Sequence, residues 1–89
     1  ELYQLVLREA EGGDPDEEDA AAYTTLRLAH SMHNIGQFAP AERACRLAVG
    51  AYERLVARHP DNREYAVHYA EGLTQLASAL EALDRPDEG

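Results

Sequence analysis

Residues 28–41 read Leu-Ala-His-Ser-Met-His-Asn-Ile-Gly-Gln-Phe-Ala-Pro-Ala. Leu28, Ala29, Met32 and Ile35 recur at three- and four-residue spacing, the period of one face of an α-helix, and Thr25 extends that face upstream. Gly36 stops the run, because a helix exits most readily through a residue free to take left-handed backbone angles. Phe38 and Pro40 open a second run, with proline close to the helix start, where its missing N–H does least harm. Ala41, Ala44, Cys45, Ala48, Val49, Tyr52, Leu55 and Val56 carry this run to about His59, and Pro60 breaks it. Two apolar helices with a tight turn between them make a helical hairpin.

Working outward, Asp14 reads as an N-cap, with Pro15 at the first helical position and Glu17 closing a capping box. The first helix of the hairpin therefore covers 15–35 and the second 39–59. Upstream, residues 1–11 carry Leu2, Leu5 and Val6 at helical spacing, ended by Gly12-Gly13. Downstream, Asp61 and Glu64 form a second capping box for a helix over 62–83 that carries Tyr65, Ala66, Tyr69, Leu73, Leu76, Ala77, Leu80 and Leu83. Asp84-Arg85-Pro86-Asp87 reads as the start of another helix. No segment alternates as a half-buried strand does, so the fold class is all-α. Leu28, Ala29, Ala48, Leu76 and Ala77 are expected in the core, where the small residues let helix axes approach. Gly50 and Gly72 stand inside helices, where each costs about 0.5–1 kcal/mol relative to alanine unless a close contact needs it.

The hairpin repeats. Leu28-Ala29 aligns with Leu76-Ala77 at an offset of 48, which places Thr25 on Leu73 and Met32 on Leu80; Tyr3 aligns with Tyr52 at 49. The chain then holds the end of one unit (1–11), one complete unit (15–59) and the first helix of a third (62–89). Such a hairpin exposes an apolar stripe on both sides and needs neighbours to bury it.

These residues resemble the tetratricopeptide repeat. Leu28-Ala29 stands at the family's Leu-Gly pair, Gly36-Gln37-Phe38-x-x-Ala41 at its Gly-x-Tyr-x-x-Ala turn, and Ala48 at its small residue in the second helix. Thr25, Met32 and Cys45 replace large aromatics, and the unit is longer than the family's usual 34 residues. It is similar to a long-helix bacterial variety of the repeat. The resemblance implies antiparallel hairpins stacked as a fragment of a right-handed superhelix, within a longer array that acts as a non-catalytic protein-interaction scaffold. It also implies a concave groove, which would be lined by Tyr23, Leu26, Arg27, His30, His33 and Asn34 from one unit. Glu71, Thr74, Gln75, Ser78 and Glu81 would come from the next. One subset of the family clamps a peptide's terminal carboxylate with lysine and asparagine. The corresponding positions here are Leu26, His30, Thr74 and Gln75, so that clamp is absent.

Composition bounds the rest. The 89 residues make one domain or part of one, and 45% hydrophobic content is that of a folded chain. No apolar run approaches the roughly 20 residues of a membrane span. The net charge of −9 argues against nucleic-acid phosphates as a partner. That charge is uneven: residues 1–19 hold eight acids against one arginine, whereas 20–83 hold six of each. The acidic stretch reads as a solvated loop plus an acid-rich first turn, favoured by the helix dipole, with a docking strip for a basic partner as the sharper alternative. One cysteine, Cys45, permits no internal disulfide, and fits a reducing cytoplasm.

His30 and His33 share a helix face but have no identifiable third ligand; Glu42 and His68 could be added only by guess, so no metal and no cofactor is expected. Cys45 reads as a small buried hydrophobe and not as a nucleophile. No catalytic motif is present, so no enzyme activity is expected. The expected partner is a protein or peptide. The alternative is a small autonomous helical bundle that binds a metal or small ligand. The unpartnered flanks of the first and last helices predict self-association through those ends.

Overall fold

The computed structural model describes residues 2–10 and 13–84, without the side chains of Leu2, Tyr3 and Val6. Among them run four α-helices and no strand: α1 (Leu2–Ala10), α2 (Pro15–Asn34), α3 (Phe38–Arg58) and α4 (Arg63–Asp84). The expected ends at Glu11-Gly12 and the helix start over 85–87 lie outside the described residues, as do the side chains at the apolar positions Leu2 and Val6.

The helix boundaries have local causes. Asp14 caps α2 by accepting the Asp16 amide at 3.0 Å, and Pro15 follows at the first position. Glu17 adds no described side-chain bond back to the cap, so the box is half formed. At the other end Gly36 has φ +84°, and Gln37 N–H donates to Met32 O at 2.8 Å while Gly36 N–H donates to His33 O at 3.0 Å. That bond pair is the glycine exit in which the two residues past the helix close its last carbonyls. At α4 the cap is Asn62 and not Asp61: Tyr65 N–H donates to Asn62 Oδ1 at 3.1 Å. The two caps, Asp14 and Asn62, stand 48 residues apart with no slippage.

α2 and α3 run antiparallel, since the start of α2 (Glu18, Asp19) meets the end of α3 (Tyr52, Arg58). α4 returns parallel to α2, with Tyr65 near its start bonded to Asp16 at 2.9 Å. The core has two parts. Leu26, Ala29, Ala44, Cys45 and Ala48 form one, with Tyr23, Met32 and Leu76 at its margin. Ala22, Ala51, Tyr52, Leu55 and Tyr65 form the other, with Leu7 of α1 against it. Leu7 and Leu55 are also 48 apart. The Cα envelope is 14 Å in its thinnest direction, which is two helix layers at close interaxial spacing, and alanines at the contacts permit that spacing.

The expected burial holds for Ala29 and Ala48 (1% and 0% exposed) and fails for others. Leu28 is 40% exposed, Ile35 75% and Leu5 55%; Leu76 is half-buried and Ala77 is exposed. The α2 core face is rotated toward Ala22, Leu26 and Ala29 because α4 covers it as well as α3. On α4 the buried positions are Tyr65, Gly72 and Ala79, one heptad apart, while Leu73, Leu80 and Leu83 face away.

The acid-rich first turn expected of α2 is present in Asp16, Glu17 and Glu18, with Asp14, Asp16 and Glu17 exposed, but three of the acids in this stretch also make tertiary bonds. Glu18 is 3% exposed and takes both oxygens to Arg58 Nη2, at 2.9 and 3.0 Å. Asp16 holds the Tyr65 hydroxyl, and Asp19 accepts from Tyr52 at 2.8 Å. These acids fasten α2 to the far end of α3 and the near end of α4. No described helix is long and apolar enough to cross a membrane.

Candidate functional site

α2 and α4 run side by side over α3, with less mutual packing than either makes with it, and a groove opens between them. Its N-terminal half has a volume of about 440 Å³ and is lined by Tyr23, Arg27, His30, Ser31, Glu71 and Gln75. Its C-terminal half, about 260 Å³, lies between His30, His33, Thr74, Gln75 and Ser78, over a floor of Ala29, Ala41, Cys45 and Ala79. The floor is apolar because its residues are small and three helices converge there; the rim is polar.

All of the sequence-predicted groove residues except Asn34 and Glu81 border these two hollows. Leu26 is the one misjudged in kind. At 1% exposure it belongs to the core under the groove, lying 3.6 Å from where a Cβ on Gly72 would stand. Arg27, His30, Glu71, Thr74 and Ser78 are exposed; Tyr23, His33 and Gln75 are half-buried. Thr74 Oγ1 is tied back to Ala70 O at 3.0 Å. His33 packs edge-on against Phe38 with ring centroids 5.0 Å apart, which sets its orientation on the groove wall.

Gln75 joins the two halves. Its Oε1 is buried and has no hydrogen-bond partner, an arrangement that leaves the desolvation of a carbonyl oxygen uncompensated.

Beneath the N-terminal end lies a polar cluster that sequence reasoning missed. Asp19 Oδ1 accepts from the Tyr52 hydroxyl at 2.8 Å and lies 3.0 Å from His68 Nδ1; Tyr52 Oη and His68 Nδ1 are 3.3 Å apart. His68 also stacks on Tyr23, centroids 4.5 Å apart at 30°. The cluster joins α2, α3 and α4, residues 33 and 49 apart in sequence, so no local pattern could reveal it. Burial, the bond to Asp19 and the negative charge around it push the Tyr52 hydroxyl far above its ordinary pKa. It is a fastener and not a proton donor for chemistry. The Cys45 thiol is pushed up to about 11 by burial and by the Glu42 carboxylate, so at neutral pH it stays protonated beneath the floor.

No family model, no curated protein and no solved structure matches this chain. Its chemistry is therefore read from the groove itself. Among the described residues no three His, Cys, Asp or Glu side chains converge as metal ligands would. The groove offers one cation (Arg27), one carboxylate (Glu71), hydroxyls, an amide and an apolar slot.

Proposed function

We propose that this chain is a non-catalytic protein-interaction module of the tetratricopeptide type, part of a right-handed superhelical array, that takes a peptide segment in the α2–α4 groove. The single observation that carries the reading is the groove's polar–apolar layout around Gln75. An apolar side chain of the partner fills the slot over Ala29, Ala41, Cys45 and Ala79. A backbone N–H of the same segment then pairs with Gln75 Oε1 once the amide, whose oxygen is buried in the free chain, turns toward the groove. The slot, at about 260 Å³, has room for a single leucine- or phenylalanine-sized side chain. The caps 48 residues apart support the repeat array. The reducing, cytoplasmic setting and bacterial source belong to the same proposal, supported by the lone buried thiol and the repeat's resemblance.

The test is selection from a random peptide library displayed on phage, with the 89-residue chain as bait. Enriched peptides should share one apolar anchor and lose at least about tenfold in affinity against Ser78→Trp, which fills the slot from its exposed rim. Peptides that bind Ser78→Trp as well as the parent, or no enrichment at all, would refute the groove as the site.

A further inference from the structure

The back of α3, the face turned away from α2 and α4, differs from the rest of the molecule in charge. α2 carries Asp16, Glu17, Glu18 and Asp19 against Arg27, a net charge of −3. α4 carries Glu64, Glu71, Glu81 and Asp84 against Arg63, again −3. α3 has four arginines against two glutamates, a net charge of +2 in a chain of −9. Arg46 is paired with Glu42 and Arg58 with Glu18. Arg43 and Arg54 are exposed and have no carboxylate partner among the described residues. Between them lie Leu47, 38% exposed, and Gly50. Arg43, Leu47, Gly50 and Arg54 follow one another at four-, three- and four-residue steps, along one line of the helix.

Gly50 is the informative member. Its backbone is helical with no positive φ, and a Cβ there would meet only the tip of Arg54 at 3.9 Å. The fold thus gives up about 0.5–1 kcal/mol of helix propensity at this position with no packing reason. A bare stretch of backbone between an exposed leucine and two unpaired guanidinium groups lets another chain come close. Further units of a hairpin stack would leave the stripe open. α2 and α4 hold α3 from its buried side, and α1, its equivalent one unit earlier, reaches the core through Leu7 at the cluster of Tyr52 and Leu55. An equivalent helix after α4 would likewise stand beside α3 and not behind it.

We propose that the back of α3 docks an acidic segment of a partner protein, with an apolar side chain seated on Gly50 beside Leu47 and carboxylates on Arg43 and Arg54. Charge selects this occupant, since guanidinium groups take carboxylates in bidentate pairs. The two arginines stand about 16 Å apart along the helix axis, a span that an extended segment covers in about five residues. A broad anionic surface such as a bilayer fits less well. The stripe is one helix wide, and the two helices behind it each carry −3, which repels a large polyanion. The docking is independent of the groove, which opens on the opposite side of α3.

The test is selection from a random peptide library displayed on phage, with the 89-residue chain as bait and Arg43→Glu and Arg54→Glu chains for comparison. The selection should enrich peptides with acids on both sides of one apolar residue. These should lose at least about fivefold in affinity against either charge reversal and keep it against Ser78→Trp. Both arginines are exposed, so the circular dichroism spectrum should not change. Affinity should also fall as NaCl is raised from about 0.05 to about 0.5 M, because exposed charges are screened. Gly50→Met separates docking from folding. It should raise the melting temperature through helix propensity, yet weaken the same peptides at least about fivefold by holding them off the helix. No enrichment of acidic peptides would overturn the proposal, as would acidic peptides indifferent to the charge reversals or to Gly50→Met. Tighter binding of phosphatidylserine vesicles than of any peptide, or a dimer of the chain dissociated by Arg54→Glu, would also overturn it, and would give the stripe to a lipid surface or to a second copy.

Discussion

Two glycines interrupt the long helices, and the same substitution should act oppositely on them. A Cβ on Gly50, in the middle of α3, would meet nothing nearer than the flexible Arg54 Nη1 at 3.9 Å. Gly50→Ala therefore recovers helix propensity alone, about 0.5–1 kcal/mol, and should raise the melting temperature by about 3–6 °C for a domain of this size. Gly72, in α4, is buried, and its Cβ would stand 3.0 Å from Val49 Cγ2 and 3.6 Å from Leu26 Cδ1. Relieving the contact with Val49 requires α4 to back away from α3, or Val49 to leave its rotamer. Overpacking of this kind costs about 1–3 kcal/mol, against the same propensity gain of up to about 1. Gly72→Ala should thus lie between neutral and about 2 kcal/mol destabilising. In a Val49→Ala background the clash is gone, and Gly72→Ala should stabilise by about as much as Gly50→Ala. Urea denaturation of the four variants, with midpoints compared at constant m, measures the coupling. If Gly72→Ala stabilised the parent as much as Gly50→Ala does, the close approach of α4 to α3 would be wrong. The groove built on that approach would fall with it.

Ala29→Arg should unfold the domain, because it places a charge at a position 1% exposed between helices. The neighbouring Leu28→Arg, at 40% exposure, should shift stability by less than about 1 kcal/mol; equal effects would mean the α2 register is misplaced. Arg58→Ala should cost about 1–3 kcal/mol, less than for a fully buried pair because Arg58 is 48% exposed, and Glu18→Gln should cost less than Arg58→Ala, because only the latter strands the buried Glu18 carboxylate. Alkali should destabilise the fold. Cys45 titrates at about 11 in the fold against 9.0 when unfolded, and Tyr65 is pushed up to about 12 by burial and its bond to Asp16. The folded state thus keeps protons that the unfolded chain releases, so stability is full below about pH 9 and falls through pH 9–12. Cys45 alone should contribute about 2 kcal/mol of loss by pH 11, and a melting temperature flat from pH 8 to 11 would contradict this. A disulfide reagent at pH 8 should label Cys45 only as fast as the domain opens, with the rate rising in parallel with sub-denaturing urea.

What the sequence disclosed and what it hid divide along the range of the interactions. Among the described residues, helix order and ends came within one residue, because caps, Gly36 and Pro60 act on their own neighbours. The one cap misassigned, Asp61 for Asn62, is a contest between adjacent residues with nearly equal capping chemistry, decided by which side chain reaches the Tyr65 amide. Burial register is another matter. Leu28 and Ala29 are equally plausible as core on an amphipathic count. Leu26 displaces Leu28 only because Gly72, 46 positions away in sequence, lets α4 come down over it. The acids of residues 14–19 look alike in sequence, yet their partners differ. Asp14 caps α2, Asp16 holds Tyr65, Glu18 holds Arg58, and Asp19 holds Tyr52 and His68. None of these pairings follows from composition, which treats the stretch as one block of charge.

Nine of the eleven expected groove residues border the two hollows, because they share the facing sides of α2 and α4; Asn34 and Glu81 do not, and Leu26 lies in the core beneath. What could not be read was depth. Whether an exposed stripe is shallow surface or a slot depends on the size of residues on a third helix, here Ala41 and Cys45 of α3. Cys45 is the instructive case. Where the repeat resembles one with an aromatic at this place, a thiol leaves unfilled volume directly beneath His30 and His33. Cys45→Phe should close the C-terminal slot, preserve the helix content, and abolish peptide capture. Circular dichroism and peptide affinity, measured together, read both outcomes. Loss of helix content along with peptide capture would show that the small residues at the floor serve the packing of α4 more than the reception of a partner.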